Sequence, residues 1–128
     1  MSNILRFLAL LFVAVLVLLL LGPAMPLERD VEGLDKIAHF GAFGGLLWSF
    51  GVLFRRHPRI LLALYALIFG VMTEIAQGLL GRDASWLDLL ADACGILAAL
   101  LVWAICRGFK PRRLLASKPS EQSASKPA

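Results

Sequence analysis

Four long apolar segments constrain the fold of this chain more than any other feature. Each is ended by Gly, Pro or Arg residues that stop a helix. Crossing a bilayer takes roughly 20 mainly apolar residues, because every backbone N–H and C=O must be satisfied within the helix. With 59% hydrophobic residues and a mean hydropathy of +0.80, the sequence predicts an all-α polytopic membrane protein. We expect a bundle of four transmembrane helices within residues 1–110, at about 4–21, 37–54, 60–80 and 85–106.

The basic residues predict how the bundle is oriented. Lys and Arg are retained on the cytoplasmic side of a membrane. The connection between the second and third segments is rich in these residues, whereas the other two connections contain few. Residues 111–128 lack apolar periodicity and are predicted to form a disordered, basic cytoplasmic tail. We expect a multi-pass protein of the bacterial inner membrane with both termini cytoplasmic. The cytoplasmic side would carry Arg6, Arg55, Arg56, Arg59, Arg107, Lys110 and the tail, and the outer side only Arg29, Lys36 and Arg82.

The net charge of +4 follows from this topology and from a basic tail close to anionic lipid. No aromatic or glycine pattern typical of a nucleic-acid-binding module accompanies the basic residues. The expected partners are therefore membrane lipids and not nucleic acid, and a homo-oligomer or an envelope-protein partner stays open.

The first apolar segment has a second interpretation. A basic Arg6, an apolar run and the small residues from Gly22 to Ala24 are also features of a signal peptide. The apolar run is longer than in most signal peptides, and the A-x-A cleavage pattern is missing. A retained first helix is the main prediction, and cleavage would leave three helices.

Polar side chains within the other three apolar segments point to a functional site. They form the pairs Asp35 with His39, Glu74 with Gln77, and Asp88 with Asp92. The spacing within each pair is three or four residues, which places both side chains on one helix face. In the predicted topology all of them lie near the outer ends of their helices. The sequence therefore predicts that they converge in one layer of the membrane.

Two of these acids are hard to explain by helix boundaries alone. Asp35 could be an N-cap, Asp88 could stabilise the N-terminus of a helix through the helix dipole, and His39 could be a packing residue. Glu74 and Asp92 lie about two turns inside their helices. An ionised side chain costs on the order of 2–3.5 kcal/mol at the membrane centre, and proximity to a boundary reduces this cost without abolishing it. Each must be paired, neutralised or wet.

Glycines predict the order of the helices in the bundle. Gly41, Gly44 and Gly45 lie roughly opposite the face that carries Asp35 and His39. The second helix would then pack against neighbours on both sides, since small residues allow close helix approach. We expect the second helix to be central and the first to be the outer member.

The order of the polar motifs resembles the VanZ-like family of small bacterial membrane proteins. The resemblance covers residues 35–99 and implies a four- or five-helix membrane domain, named for an accessory protein linked to resistance to the glycopeptide teicoplanin. It assigns no reaction to the domain. The motifs are Asp35-Lys36-x-x-His39, Glu74-x-x-Gln77, Gly81-Arg82, Ser85-x-x-Asp88 and Asp92-x-x-Gly95.

The first functional hypothesis is an outer-leaflet site that binds or acts on an envelope lipid, a cell-wall precursor or a glycopeptide-related ligand. His39, oriented by Asp35, would be a general base, and Glu74 is the third candidate catalytic residue. A divalent cation is an open cofactor, because oxygen ligands suit Mg²⁺ or Ca²⁺. The candidate metal ligands are Glu74, Asp88 and Asp92, and the candidate substrate-binding residues are Lys36, Gln77, Arg82 and Ser85.

Two other functions stay open from the sequence, so whether the chain is an enzyme is undecided. A proton- or ion-coupled transporter would use intramembrane carboxylates and His39 as relay groups. A non-catalytic assembly or accessory protein would use the same groups only to fix helix packing.

The topology can be tested by cysteine labelling. A cysteine in place of Arg82 should react with an impermeant thiol reagent added outside the cell, whereas one in place of Arg56 should not. Labelling of position 56 from the outside would contradict the predicted orientation.

Overall fold

The computed structural model describes residues 3–22, 33–81 and 85–108. Within these ranges the chain forms four helices and no strand. Each helix is long and apolar enough to cross a membrane, and the predicted all-α four-helix fold is confirmed. The helices are α1 (Asn3–Leu21), α2 (Leu34–Leu53), α3 (Arg59–Leu79) and α4 (Trp86–Gly108).

The start of α2 is the one boundary that differs clearly from the prediction. The helix begins at Leu34 and not at Ile37, after Gly33 with a φ of 83°, a conformation that glycine adopts at little cost. Asp35 therefore lies in the first turn and is not the N-cap. A carboxylate there still interacts favourably with the helix dipole. The predicted tail, residues 111–128, lies outside the described residues.

Helix α2 is central in the bundle, as the glycines predicted. It contacts α1, α3 and α4 and contributes Phe43, Leu46 and Leu47 to the buried core. Leu62 of α3 and Ile96 of α4 complete the centre of that core. Helix α1 contacts α2 and α3, and most of its large apolar side chains are exposed. The expectation that α1 is the outer member is confirmed.

The closest approach between helices occurs where α2 meets α4. A Cβ atom on Gly95 would clash with the backbone carbonyl oxygen of Phe40, and one on Gly44 would lie 3.3 Å from the carbonyl oxygen of Gly95. Gly45 instead faces the ring of Phe12 on α1, and a Cβ on Gly41 would meet nothing within 4 Å. Gly41 therefore takes no part in helix packing, whereas Gly44 and Gly95 face each other where α2 meets α4.

The Gly95 contact predicts the effect of a single added methyl group. In Gly95→Ala the helices must separate, and such overpacking costs about 1–3 kcal/mol. The matched control is Gly41→Ala, which has open space and should be neutral or stabilising by up to about 1 kcal/mol. Thermal unfolding in a mild detergent measures both, and equal stability of the two variants would contradict the packing described.

Candidate functional site

A buried contact between His39 and Asp92 joins α2 to α4. The Nδ1 atom of His39 lies 2.8 Å from Oδ1 of Asp92, and both side chains are buried, with Asp92 0% exposed. The His39 ring also stacks on Phe43. The partner predicted from the sequence, Asp35, was wrong. Asp35 instead pairs with its neighbour Lys36, whose Nζ is 3.0 Å away.

Lys36 connects the rim of the site to its interior. Its Nζ atom lies 3.0 Å from Asp35 and 3.7 Å from Oδ1 of Asp88. The second distance is too long for a hydrogen bond but places the ammonium group beside a buried carboxylate. Asp88 is one helical turn before Asp92 on the same face of α4. The two acids of α4 therefore face two different side chains of α2.

Glu74 links the end of α3 to the start of α4. Its Oε1 accepts a hydrogen bond from the backbone N–H of Ser85. The Ser85 hydroxyl accepts the N–H of Leu87 at 3.3 Å, and the Ser85 carbonyl accepts the N–H of Asp88 at 2.9 Å. Ser85 is thus the N-cap of α4. The structure brings Ser85 and Glu74 together, as the hypothesis of one site requires.

Three carboxylate oxygens in this cluster are buried without a hydrogen-bond partner among the described residues. Leaving a buried polar atom unsatisfied costs about 1–3 kcal/mol, so such atoms are uncommon in folded proteins. Space beside one of them depends on Gly70, because a Cβ there would lie 2.9 Å from Oδ2 of Asp92. The three atoms are Oε2 of Glu74, Oδ1 of Asp88 and Oδ2 of Asp92.

Gln77 bonds α1 and not another candidate site residue. Its Nε2 donates a hydrogen bond to the carbonyl oxygen of Leu20 at 2.8 Å, close to the C-terminal end of α1. Helix C-termini leave carbonyl groups without intrahelical partners, and Gln77 satisfies one of them. It holds α1 against α3. Arg82, another predicted substrate-binding residue, lies outside the described residues.

The predicted metal site has no geometric support so far. Across residues 3–22, 33–81 and 85–108, no group of three or more His, Cys, Asp or Glu side chains is arranged to hold a metal ion. The assignment of Glu74, Asp88 and Asp92 as metal ligands stays a prediction.

An apolar groove of about 310 Å³ opens beside Glu74 and Ser85, between α3 and α4. The polar pattern of the sequence does not indicate this groove, because most of its lining is apolar. Val71 precedes Glu74 by three residues and lies beside it on one face of α3, a neighbour that the helical period could have identified. The apolar lining consists of Val71, Ile75, Trp86 and Leu89.

Comparison with known proteins adds no relative to this description. No family model, no curated protein and no solved structure matches the chain.

The contact between His39 and Asp92 predicts a non-additive response to mutation. His39→Phe leaves the buried Asp92 without its partner and should lower the free energy of unfolding by about 2 kcal/mol. Adding Asp92→Leu removes the unpartnered group, so the double variant should be more stable than the sum of the single changes implies. Chemical denaturation in detergent measures the cycle, and strictly additive losses would rule out the direct contact.

Proposed function

We propose that the chain is a multi-pass integral membrane protein that binds an amphipathic lipid of the cell envelope at the end of the bundle where Glu74, Asp88 and Asp92 lie. The lipid's apolar chain would occupy the groove between α3 and α4. Its headgroup would face the carboxylates and His39. In this proposal the site opens to the outer leaflet of a bacterial inner membrane, and both termini are cytoplasmic.

Apolar side chains on the outside of the bundle support insertion into a membrane. Large hydrophobic residues are exposed on all four helices, among them Phe7, Ile37, Leu64 and Leu97. Soluble monomers rarely expose contiguous apolar surface on this scale. In the hydrocarbon of a bilayer, exposing the same apolar surface carries no free-energy penalty, so the bilayer is the environment that fits it.

The groove beside Glu74 is the observation that carries the proposal. Its walls are apolar, and its polar boundary is formed by Glu74 and Ser85. At about 310 Å³ it lies at the small end of ligand sites, which span about 300–1,000 Å³. That size suits part of one acyl or isoprenoid chain, with the headgroup outside the groove.

The carboxylate beside the groove favours a particular headgroup chemistry. Glu74 lines the groove, and its Oε2 has no hydrogen-bond partner among the described residues. An ionised carboxylate only accepts hydrogen bonds, so Glu74 favours a ligand that donates them. Hydroxyl and amine groups supply donors, and both occur on the sugar and amino-acid headgroups of envelope lipids. We therefore favour a headgroup rich in hydroxyl or amine groups over a bare phosphate at this end.

Acid–base chemistry at the site would centre on His39. A carboxylate that bonds one ring nitrogen fixes the tautomer and orientation of an imidazole, and Asp92 now holds that position. Asp35 would act through Lys36 instead, with Glu74 as the acid nearest the groove. We include the VanZ-like resemblance in this proposal because it is based on the order of these same residues.

The main alternative is a non-catalytic assembly or accessory protein. The complete burial of Asp92 favours it, because a pair shielded from solvent can serve to fix the register of α2 against α4. No comparable observation favours transport. Under the alternative, substitutions in the groove would leave lipid binding unchanged.

Blocking the groove tests the proposal. We expect the wild-type protein to retain a lipid through extended detergent washing. In Ile75→Trp the indole should fill the groove and abolish this retention. Met72→Trp is the matched control, since Met72 is exposed on the same helix and does not line the groove. Mass spectrometry of the purified proteins measures the retained lipid per chain.

Polar substitutions separate the two functions. Glu74→Gln should keep the folded protein, judged by its elution on size exclusion, and lose most of the retained lipid. Equal lipid retention by Ile75→Trp and Met72→Trp would refute the lipid site. Loss of folding in both Glu74→Gln and His39→Ala would favour the assembly role.

A further inference from the structure

A second cavity lies at the opposite end of the bundle from the carboxylates. It has a volume of about 510 Å³ and is formed where the connection between α2 and α3 meets the end of α4. Three arginines from three different segments line it: Arg55 from the connection, Arg59 from the start of α3 and Arg107 from the end of α4. His57 also contributes to the wall.

The charges around this cavity are uncompensated by the described part of the chain. In residues 3–22, 33–81 and 85–108, the cationic members of the ion pairs are Lys36 and His39, and both lie at the other end. The sequence has no Asp or Glu between residues 36 and 73 or between 93 and 120. The segments that build the cavity therefore carry no acid that could neutralise it.

Trp103 brings two of these cations to one place. The guanidinium carbon of Arg107 lies 4.9 Å from the centroid of its ring system, and that of Arg59 lies 5.6 Å away. Both distances are within the range of cation–π interactions. One indole therefore holds two like charges at the wall of the same cavity, and an anion bound in that cavity would be attracted to both.

Gly51 positions one of the guanidinium groups. A Cβ atom at this buried position of α2 would clash with the guanidinium of Arg59, so the absence of a side chain lets Arg59 lie against the helix. The arginine is consequently half-buried, whereas Arg55 and Arg107 are exposed. A partly buried guanidinium interacts more strongly with an anion than an exposed one.

We propose that this cavity binds a phosphate-bearing anion through Arg55, Arg59 and Arg107. Guanidinium groups match phosphate oxygens with paired, charge-assisted hydrogen bonds. Basic pockets between membrane helices are sites for anionic lipid headgroups, and a free phosphate presents the same chemistry. The inference does not rest on the function proposed for the opposite end.

Tryptophan fluorescence of the full-length protein in a neutral detergent tests the site. Replacing Trp48 and Trp86 by Phe leaves Trp103 as the sole fluorophore among the three tryptophans. The probes are inorganic phosphate and dihexanoyl phosphatidylglycerol, with dihexanoyl phosphatidylcholine as the zwitterionic control. Saturable binding of at least one of the two anions is expected.

Adjacent arginines provide the matched comparison. Arg55→Gln should weaken binding about tenfold, the size of one lost charge-assisted contact, and Arg56→Gln should leave it unchanged because Arg56 does not line the cavity. Gly51→Ala should weaken binding without altering the net charge, since it displaces Arg59.

The outcomes distinguish the sources of the phosphate group. Variant-sensitive binding of phosphatidylglycerol identifies a lipid headgroup, and variant-sensitive binding of inorganic phosphate alone identifies a free anion. Equal weakening by Arg55→Gln and Arg56→Gln, or no saturable binding of either probe, would overturn the proposal.

Discussion

The close contact between α2 and α4 is the constraint on which the rest of the structure depends. Gly95 lets the backbone of α4 approach the Phe40 carbonyl, and the residues next to this contact are the polar ones. His39 precedes Phe40, and Asp92 lies three residues before Gly95. A larger residue at the contact would move His39 and Asp92 apart. Backbone packing therefore sets the 2.8 Å contact at the centre of the site.

The bundle separates acidic from basic chemistry along its length. Among the described residues, the acids lie at one end with His39, and Arg55, Arg59 and Arg107 surround a cavity at the other. Phe43, Leu46 and Leu62 form an apolar core between them. The two ends thus present opposite ligand preferences, donors such as hydroxyl or amine groups at one and anions at the other.

Sequence patterns identified the helices well because membrane-length apolar segments admit few alternatives. They also gave the convergence of Lys36, His39, Glu74, Asp88 and Asp92, since topology and helical phase set depth and face. They could not give the partner of His39. An i, i+4 neighbour shares a face but does not determine which side chains from a packed helix arrive there.

Two further features could not be predicted from the sequence, for related reasons. Gln77 shares a face with Glu74, yet it bonds the Leu20 carbonyl. This contact could not be predicted, because α1 is apolar all round and its sequence does not show which side docks. From the sequence, the arginines predict only topology and not the basic cavity that they line. Trp103 and Arg107, four residues apart, were the available signal for it.

Measuring the contact between His39 and Asp92 tests the structure of the site most directly. Solid-state NMR on labelled protein in bilayers can detect which carboxyl carbon lies beside Nδ1 of His39. We expect a strong dipolar contact to the side-chain carboxyl of Asp92. A contact to Asp35 instead, or to no carboxyl group, would contradict it.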